Sequence, residues 1–313
     1  MAVPELVEVS CTSVDFTVFQ ASWLPSSPRL AACGCTLAGR GVIKLYSLAG
    51  RGLAEVGSVS RGKAVRCATF NSSTVEEREL VTGDFTGGLA VWDVDDLDRP
   101  VEEIMGAHSD LVHCLAGVPG RLVSGGREGV VKVWDRRDMR RSVLSLEGES
   151  SSRPEVWTVE VGEDSLCAGY SNGDIRIFDC RSGKVKWESH LARGVTSLEL
   201  LSGGRLLGGN VGGSLVVWDL SSDSRKEMKL EKSTVWSAVT CPHDERVLVS
   251  SLGSGALRLL SLTECDLSSV TSLQASDRPL TTFSWSRDKP GLAVSTSFDQ
   301  KIRVVLVTNI QTE

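Results

Sequence analysis

The chain has 313 residues, of which 41% are hydrophobic and 24% charged, and its formal net charge is −6. Lys and Arg form no run, which argues against nucleic-acid binding because a phosphate backbone needs a concentrated basic face. The first eleven residues lack the basic start of a signal peptide, and the apolar runs are too short to span a membrane. Nine cysteines are scattered without a disulfide framework, so we expect a cytoplasmic protein.

A short strand that ends in Trp-Asp or a related pair returns seven times. Its copies lie near residues 41–47, 88–94, 130–135, 174–179, 214–219, 256–261 and 301–307. The spacing of roughly 40–45 residues, together with the Trp-Asp signature, is typical of WD40 repeats. The sequence therefore predicts an all-β fold in which residues 1–313 form a single seven-bladed WD40 β-propeller.

Each repeat is predicted to contain four short strands, a to d, separated by Gly, Ser, Asn or Asp turns. In the second repeat the strands are expected near residues 64–70, 79–82, 88–94 and 101–105. The connector at 147–154 is the most polar one, which predicts a surface loop between the third and fourth repeats.

The last repeat is too short for a fourth strand, because few residues follow its third one. We expect residues 6–12 to pair with the strand at 301–307 and to close the ring as its missing outer strand. Closure removes exposed strand edges, which would otherwise favour aggregation.

Patterns that would indicate catalysis or metal binding are missing. The four His residues do not lie at metal-ligand spacing, and Cys33 and Cys35 lack a second pair. The glycine-rich stretches lack the Gly-Lys-Ser/Thr pattern of a phosphate loop. We therefore expect no catalytic residues, no metal, no cofactor and no enzymatic activity.

A polar hydrogen-bonded set is common within WD-type repeats, and here it is complete only in the third repeat. That repeat has His108, Ser124 and Trp134, with Glu128 where a turn Asp is usual. Among the other repeats, only Asp299 of the seventh fits the turn position. These residues predict a structural role for His108.

In a propeller, the first strand of each blade lies beside the central channel. All seven first strands share an apolar residue, and the residue that follows it is a candidate for the rim. This set is Phe19, Arg66, His113, Trp157, Thr196, Trp236 and Thr281, and the neighbouring turns add Phe85, Arg127, Ser171 and Phe298. We predict a partner-binding rim of Phe19, Arg66, Phe85, His113, Arg127, Trp157, Trp236 and Phe298, since Trp, Phe and Arg are frequent in interface hot spots. A patch containing Phe85, Arg127, Trp157 and Trp236 is preferred. The alternative, that Trp157 and Trp236 belong to the inter-blade core, stays open.

Several longer phrases resemble the Monad family, also called the WD repeat-containing protein 92 family, along nearly the whole chain. They lie at residues 17–25, 41–46, 82–92, 157–159, 167–178, 233–236 and 297–303. Generic WD repeats do not require phrases such as the Gly-Asp-Phe at 83–85 or the Ser-Phe-Asp-Gln at 297–300. The chain departs from this family at Leu260, where an aromatic residue is usual.

This resemblance implies a cytoplasmic co-chaperone adaptor that takes part in preassembly of axonemal dynein arms. Its expected partners are components of the RuvB-like ATPase and prefoldin-like co-chaperone assembly, and axonemal dynein chains, with the protein acting as a monomeric subunit of a larger assembly. Two other protein-binding functions stay open: a substrate receptor of a ubiquitin ligase, and a chromatin peptide reader. Fold alone does not choose among these.

Overall fold

The computed structural model describes residues 3–50, 52–74, 76–147, 153–264 and 266–310. Within these ranges the chain forms twenty-eight β-strands. No helix long and apolar enough to cross a membrane occurs among these residues. Residues 148–152 of the polar connector lie outside the described residues.

The strands form seven antiparallel sheets of four strands each, one for every predicted blade. In chain order, β1 (Glu5–Ser13) is followed by the first blade, with β2 (Thr17–Trp23), β3 (Arg29–Cys35), β4 (Gly41–Ala49) and β5 (Gly52–Arg61). The second blade contains β6 (Val65–Thr69), β7 (Glu79–Asp84), β8 (Leu89–Asp93) and β9 (Glu102–Ile104). The third contains β10 (Val112–Val118), β11 (Arg121–Gly126), β12 (Val130–Asp135) and β13 (Leu144–Glu147).

The remaining blades repeat this order. The fourth contains β14 (Val156–Val161), β15 (Ser165–Tyr170), β16 (Asp174–Asp179) and β17 (Val185–His190). The fifth contains β18 (Val195–Leu201), β19 (Arg205–Asn210), β20 (Ser214–Asp219) and β21 (Ser224–Lys229). The sixth contains β22 (Val235–Cys241), β23 (Asp244–Leu252), β24 (Ala256–Thr263) and β25 (Asp266–Gln274). The seventh contains β26 (Leu280–Trp285), β27 (Leu292–Ser297) and β28 (Lys301–Thr308), and its fourth strand is β1.

The hydrophobic core lies between the blades. Among the described residues, seven clusters of buried apolar side chains each join two neighbouring blades. Successive residues of a strand point to opposite faces, and both faces of a blade are covered, so Leu89 to Trp92 are all buried. Leu260, at the position where the family has an aromatic residue, is buried in the same way and completes the cluster between the fifth and sixth blades.

The third blade contains the predicted polar set. His108 is buried, and its Nε2 lies 2.6 Å from Ser124 Oγ. Trp134 Nε1 donates to the same hydroxyl at 2.8 Å, and Glu128 lies 2.5 Å from Nδ1 of His108. The structural role of His108 is thus confirmed, because its ring joins the inter-blade loop to the middle strands of the blade.

Pairing of β1 with β28 closes the ring, as predicted from the N-terminal segment. The two strands are antiparallel, from Glu5 opposite Thr308 to Ser13 opposite Lys301. The buried Arg303 of β28 is held by Asp299 at 2.5 Å and by Glu8 of β1 at 3.4 Å.

The carboxylate of Asp299 is the main counter-charge for Arg303. Burial acts to raise the pKa of Asp299, but hydrogen bonds from Arg303, Ser297 and Ser276 outweigh it and hold the pKa at about 2. Asp299 is therefore ionised at neutral pH, so the guanidinium beside the closing strand is compensated.

Deletion of residues 1–12 should lower the melting temperature by on the order of 10 °C, because it removes the outer strand of the seventh blade and exposes the edge of β28. Differential scanning calorimetry with size-exclusion chromatography measures both the stability and the resulting association. Deletion of residues 1–4, which precede β1, is the matched control. Equal melting temperatures for the two deletions and the intact chain would contradict this role of β1.

Candidate functional site

Each inner strand carries a β-bulge at the same position. In every blade the pairing register between the first and second strands shifts around one residue, and these residues are Phe19, Arg66, His113, Trp157, Thr196, Trp236 and Thr281. A bulge leaves one residue unpaired and changes the direction of its side chain. The seven positions are those that the aligned first strands predicted for the rim.

The seven bulge side chains line one cavity of about 510 Å³ on the axis of the ring. We call this cavity, together with the adjoining turn residues Phe85, Arg127 and Phe298, the channel mouth. The structure thus brings the predicted rim residues together around a single concave surface. Whether they bind a partner is a proposal, which is argued below from their chemistry.

The tryptophans of the chain differ in burial and in position. Trp157 and Trp236 are partly exposed and line the channel mouth. Trp23 and Trp285 are buried, each with 7% of its surface exposed, as expected for residues that pack the sheet. Trp187 lies on an outer strand, where its ring packs edge-on against that of Trp218, 6.1 Å away. Of the eight tryptophans, Trp157 and Trp236 are the two that line the channel mouth.

Two turn residues, Phe85 and Phe298, each pack against the aromatic ring of a bulge residue and extend the aromatic surface outward. The rings of Phe19 and Phe85 lie 5.5 Å apart, and those of Trp236 and Phe298 lie 6.3 Å apart. Phe85 and Phe298 remain 40% and 41% exposed. The guanidinium carbon of Arg66 lies 5.7 Å from the centre of the Phe19 ring, within the range of a cation–π contact.

Glu155, which the sequence did not single out, organises the opposite side of the channel mouth. Its carboxylate accepts hydrogen bonds from Trp157 Nε1 at 2.9 Å and Arg127 Nε at 3.1 Å, and it lies 3.1 Å from His113 Nε2. Its backbone is bonded in both directions to Ser171, a residue of the next turn. One carboxylate therefore fixes three of the predicted rim residues.

The pKa values of this cluster shift in a consistent direction. Burial acts to raise the pKa of Glu155, but the hydrogen bonds from Trp157 and Arg127 and the charge of His113 outweigh it, so the net shift is downward. The pKa of His113 is lowered, first by burial and then by the nearby charge of Arg66, and Glu155 offsets this only in part. At neutral pH the ionised Glu155 therefore accepts a hydrogen bond from the Nε2–H of a largely neutral His113.

The four residues of the preferred patch do not form one contact set. Phe85 packs on Phe19, Trp236 packs on Phe298, and only Arg127 and Trp157 share a partner. They belong to three separate contact groups around the cavity. The sequence could not show this, because it does not contain the angular distance between blades.

Leu37 is a second residue that the sequence analysis missed. It lies in the turn between β3 and β4, at the same end of the propeller as Phe85, and it is 95% exposed. The turn position aligned with Phe85 is Gly39 in the first repeat, so alignment of the turns does not single out Leu37. The three successive blades seven, one and two thus each present an exposed apolar side chain at this end.

The opposite end of the channel differs in chemistry. A cavity of about 310 Å³ there is lined by Glu160 and Glu199. Burial raises the pKa of Glu160 to about 8 and that of Glu199 to about 7. Among the described residues, no group of three or more His, Cys, Asp or Glu could hold a metal ion. Aromatic and cationic side chains line both cavities, and the partly protonated carboxyl groups of Glu160 and Glu199 distinguish this end from the channel mouth.

Substitutions around His113 should move its pKa in opposite directions. Glu155→Gln should lower it further below the usual 6.5, because the carboxylate favours the protonated ring, whereas Arg66→Gln should raise it. Proton NMR titration of the imidazole signals measures both shifts, and the exposed His190 serves as an internal control. An upward shift in Glu155→Gln would contradict the charge arrangement described here.

Known proteins are similar to this chain over nearly its whole length. Residues 100–135 match the family described as WD domain, G-beta repeat. The chain is 32% identical to dynein axonemal assembly factor 10 of Xenopus laevis, covering 98% of this chain and 97% of that protein. It is 31% identical to the protein of the same name from Homo sapiens, covering 98% of each, and 28% identical to that of Chlamydomonas reinhardtii, again covering 98% of each.

A solved structure is similar in fold alone. A chain in the crystal structure of the mitotic checkpoint complex superposes with a TM-score of 0.80 at 17% identity, covering 97% of this chain and 91% of that chain. The repeats, the seven blades and the relatives over nearly the full length confirm the family resemblance seen in the sequence. The chain belongs to the dynein axonemal assembly factor 10 family of WD40-repeat proteins.

Proposed function

We propose that this chain is a non-enzymatic protein-binding scaffold in the cytoplasmic preassembly of axonemal dynein arms. The name of its relatives supports the process, and the propeller with its channel mouth supports the mode of action. The partners in this proposal are axonemal dynein chains and components of the RuvB-like ATPase and prefoldin-like co-chaperone assembly, with the chain as a monomeric subunit of the larger assembly. The resemblance of the sequence to the Monad family supports these partners.

The observation that carries the proposal is the composition of the channel mouth. It is concave, and it combines partly exposed Trp and Phe rings with Arg66 and the adjoining Arg127. Aromatic residues and Arg contribute most of the binding energy in protein interfaces, particularly when they sit in a pocket that excludes water. A concave apolar surface with a few placed polar groups is the usual form of a binding site.

The channel mouth is also preorganised. Glu155 holds the indole of Trp157 and the guanidinium of Arg127 before any partner arrives. A side chain that is already fixed loses less conformational entropy on binding, by about 0.5–1.5 kcal/mol for each immobilised group. A rigid ring with prearranged anchors suits a scaffold, which has to recognise partners without changing them.

One alternative, a reader of methylated lysine in chromatin, fits this geometry poorly. Such a site surrounds a cation with free aromatic faces. Here the cationic group of Arg66 already lies against the Phe19 ring, and its charge would repel a second cation. The channel mouth is thus better suited to a protein segment that is not basic.

Affinity capture from ciliated cells tests the proposal. The wild-type chain should recover axonemal dynein chains together with co-chaperone components. The double variant Trp157→Ala/Trp236→Ala should lose at least about tenfold of this recovery, since hot-spot residues each contribute 2 kcal/mol or more. Because both side chains are partly exposed, its melting temperature should stay within a few degrees of wild type.

The matched control is Trp187→Ala, which removes a tryptophan from an outer strand away from the channel mouth. Its recovery of partners should equal that of wild type. The scaffold proposal fails if wild type recovers neither class of partner. The assignment of the channel mouth fails if the control and the double variant lose recovery equally.

A further inference from the structure

We infer that the channel mouth binds an extended peptide segment with one acidic side chain, whose carboxylate pairs with Arg66, next to an apolar side chain that packs on the aromatic rings. This inference rests on the proposed function, because it names the chemistry of the partner at the same site.

Arg66 is a partly buried cation without a carboxylate partner among the described residues. It is the bulge residue of β6, it lines the cavity, and its contact is the face of Phe19. Three other partly or fully buried arginines are ion-paired: Arg136 with Glu79 at 2.5 Å, Arg205 with Glu245 at 2.8 Å and Arg303 with Asp299 at 2.5 Å. Arg66 differs from these in having its charge open toward the cavity.

A guanidinium stays protonated in proteins and offers five N–H donors. Partial removal from water makes an uncompensated charge unfavourable, and an incoming carboxylate would relieve this with charge-assisted, often bidentate hydrogen bonds. The contact with Phe19 holds the planar group at the wall of the cavity without using its in-plane donors. The N–H donors of Arg66 are therefore already positioned to bind an anion.

The charge balance around Arg66 matches one carboxylate. Glu155 lines the same cavity, but Arg127 already forms an ion pair with it at 3.1 Å. The lowered pKa of His113 leaves that ring largely neutral at pH 7. One positive charge therefore remains. A phosphate group, with a charge of about −1.5 to −2, would exceed this single positive charge and leave net negative charge near Glu155, whereas one carboxylate balances it.

Aromatic rings form part of the wall around this charge. Phe19, Trp157 and Trp236 line the cavity, and Phe85 and Phe298 continue the aromatic surface outward. Rings of this size bury a large area and favour aliphatic or aromatic side chains of a partner. An acidic residue beside an apolar one in an extended chain would place the carboxylate at Arg66 and the apolar group on a ring.

Selection from a phage-displayed library of random twelve-residue peptides tests the inference without any dynein or chaperone component. Wild type should enrich peptides with Asp or Glu next to an apolar residue. Arg66→Gln should lose the acidic preference, and Arg66→Glu should select Lys or Arg instead. The control Arg40→Gln removes an equal charge from an exposed turn at the same end and should select as wild type does.

A selected peptide should then bind Arg66→Gln at least about tenfold more weakly than wild type, as expected when one partner of a shielded charge pair is removed. If Arg66→Gln fails to fold, Arg66→Lys, which retains the charge, should still select acidic peptides. Equal acidic enrichment by wild type and Arg66→Gln would overturn the inference, as would tighter binding of a phosphoserine peptide than of its Asp counterpart. If wild type selects acidic peptides but recovers neither dynein chains nor co-chaperone components from ciliated cells, the proposed role in dynein assembly is overturned. The inference about the peptide would then stand.

Discussion

Closure of the ring by β1 is the constraint on which the rest of the structure depends. Seven sheets that each bury side chains against two neighbours are stable only when the last blade meets the first. The N-terminal strand completes that last blade, and the buried Arg303 links it to Asp299 and Glu8. Closure also sets the diameter of the channel, and therefore which side chains meet across it.

Within that frame, one local irregularity repeated seven times builds the candidate site. Each inner strand bulges at the same place, so each blade contributes one side chain to the channel mouth. Different interactions hold the polar half and the apolar half of this surface in place. Glu155 orders Trp157, Arg127 and His113 by hydrogen bonds, whereas the rings near Phe85 and Phe298 are held by aromatic packing.

Much of this could be predicted from the sequence, because a weak sequence pattern becomes informative when it recurs in seven repeats. The period and the Trp-Asp pairs predicted the blades, the short last repeat predicted the closing strand, and the shared apolar position of the first strands predicted the rim. His108 was also predicted, since its partners stand at fixed offsets in the third repeat. Glu155 escaped notice because it precedes the aligned position, and its partner Arg127 belongs to a different blade. Leu37 is not predicted because it lies two residues before the turn position aligned with Phe85, where the first repeat has Gly39.

The sequence by itself determined the number of blades, the strand that closes the ring and the residue of each inner strand that lines the channel mouth. These are properties of period and register, which a repeat displays directly. Only the tertiary structure decided that Trp157 and Trp236 are partly exposed, that Glu155 organises one side of the channel mouth, and that Arg66 has no carboxylate beside it among the described residues. These depend on the contacts between neighbouring blades, whose spacing and angle follow from how closely the seven hydrophobic interfaces pack.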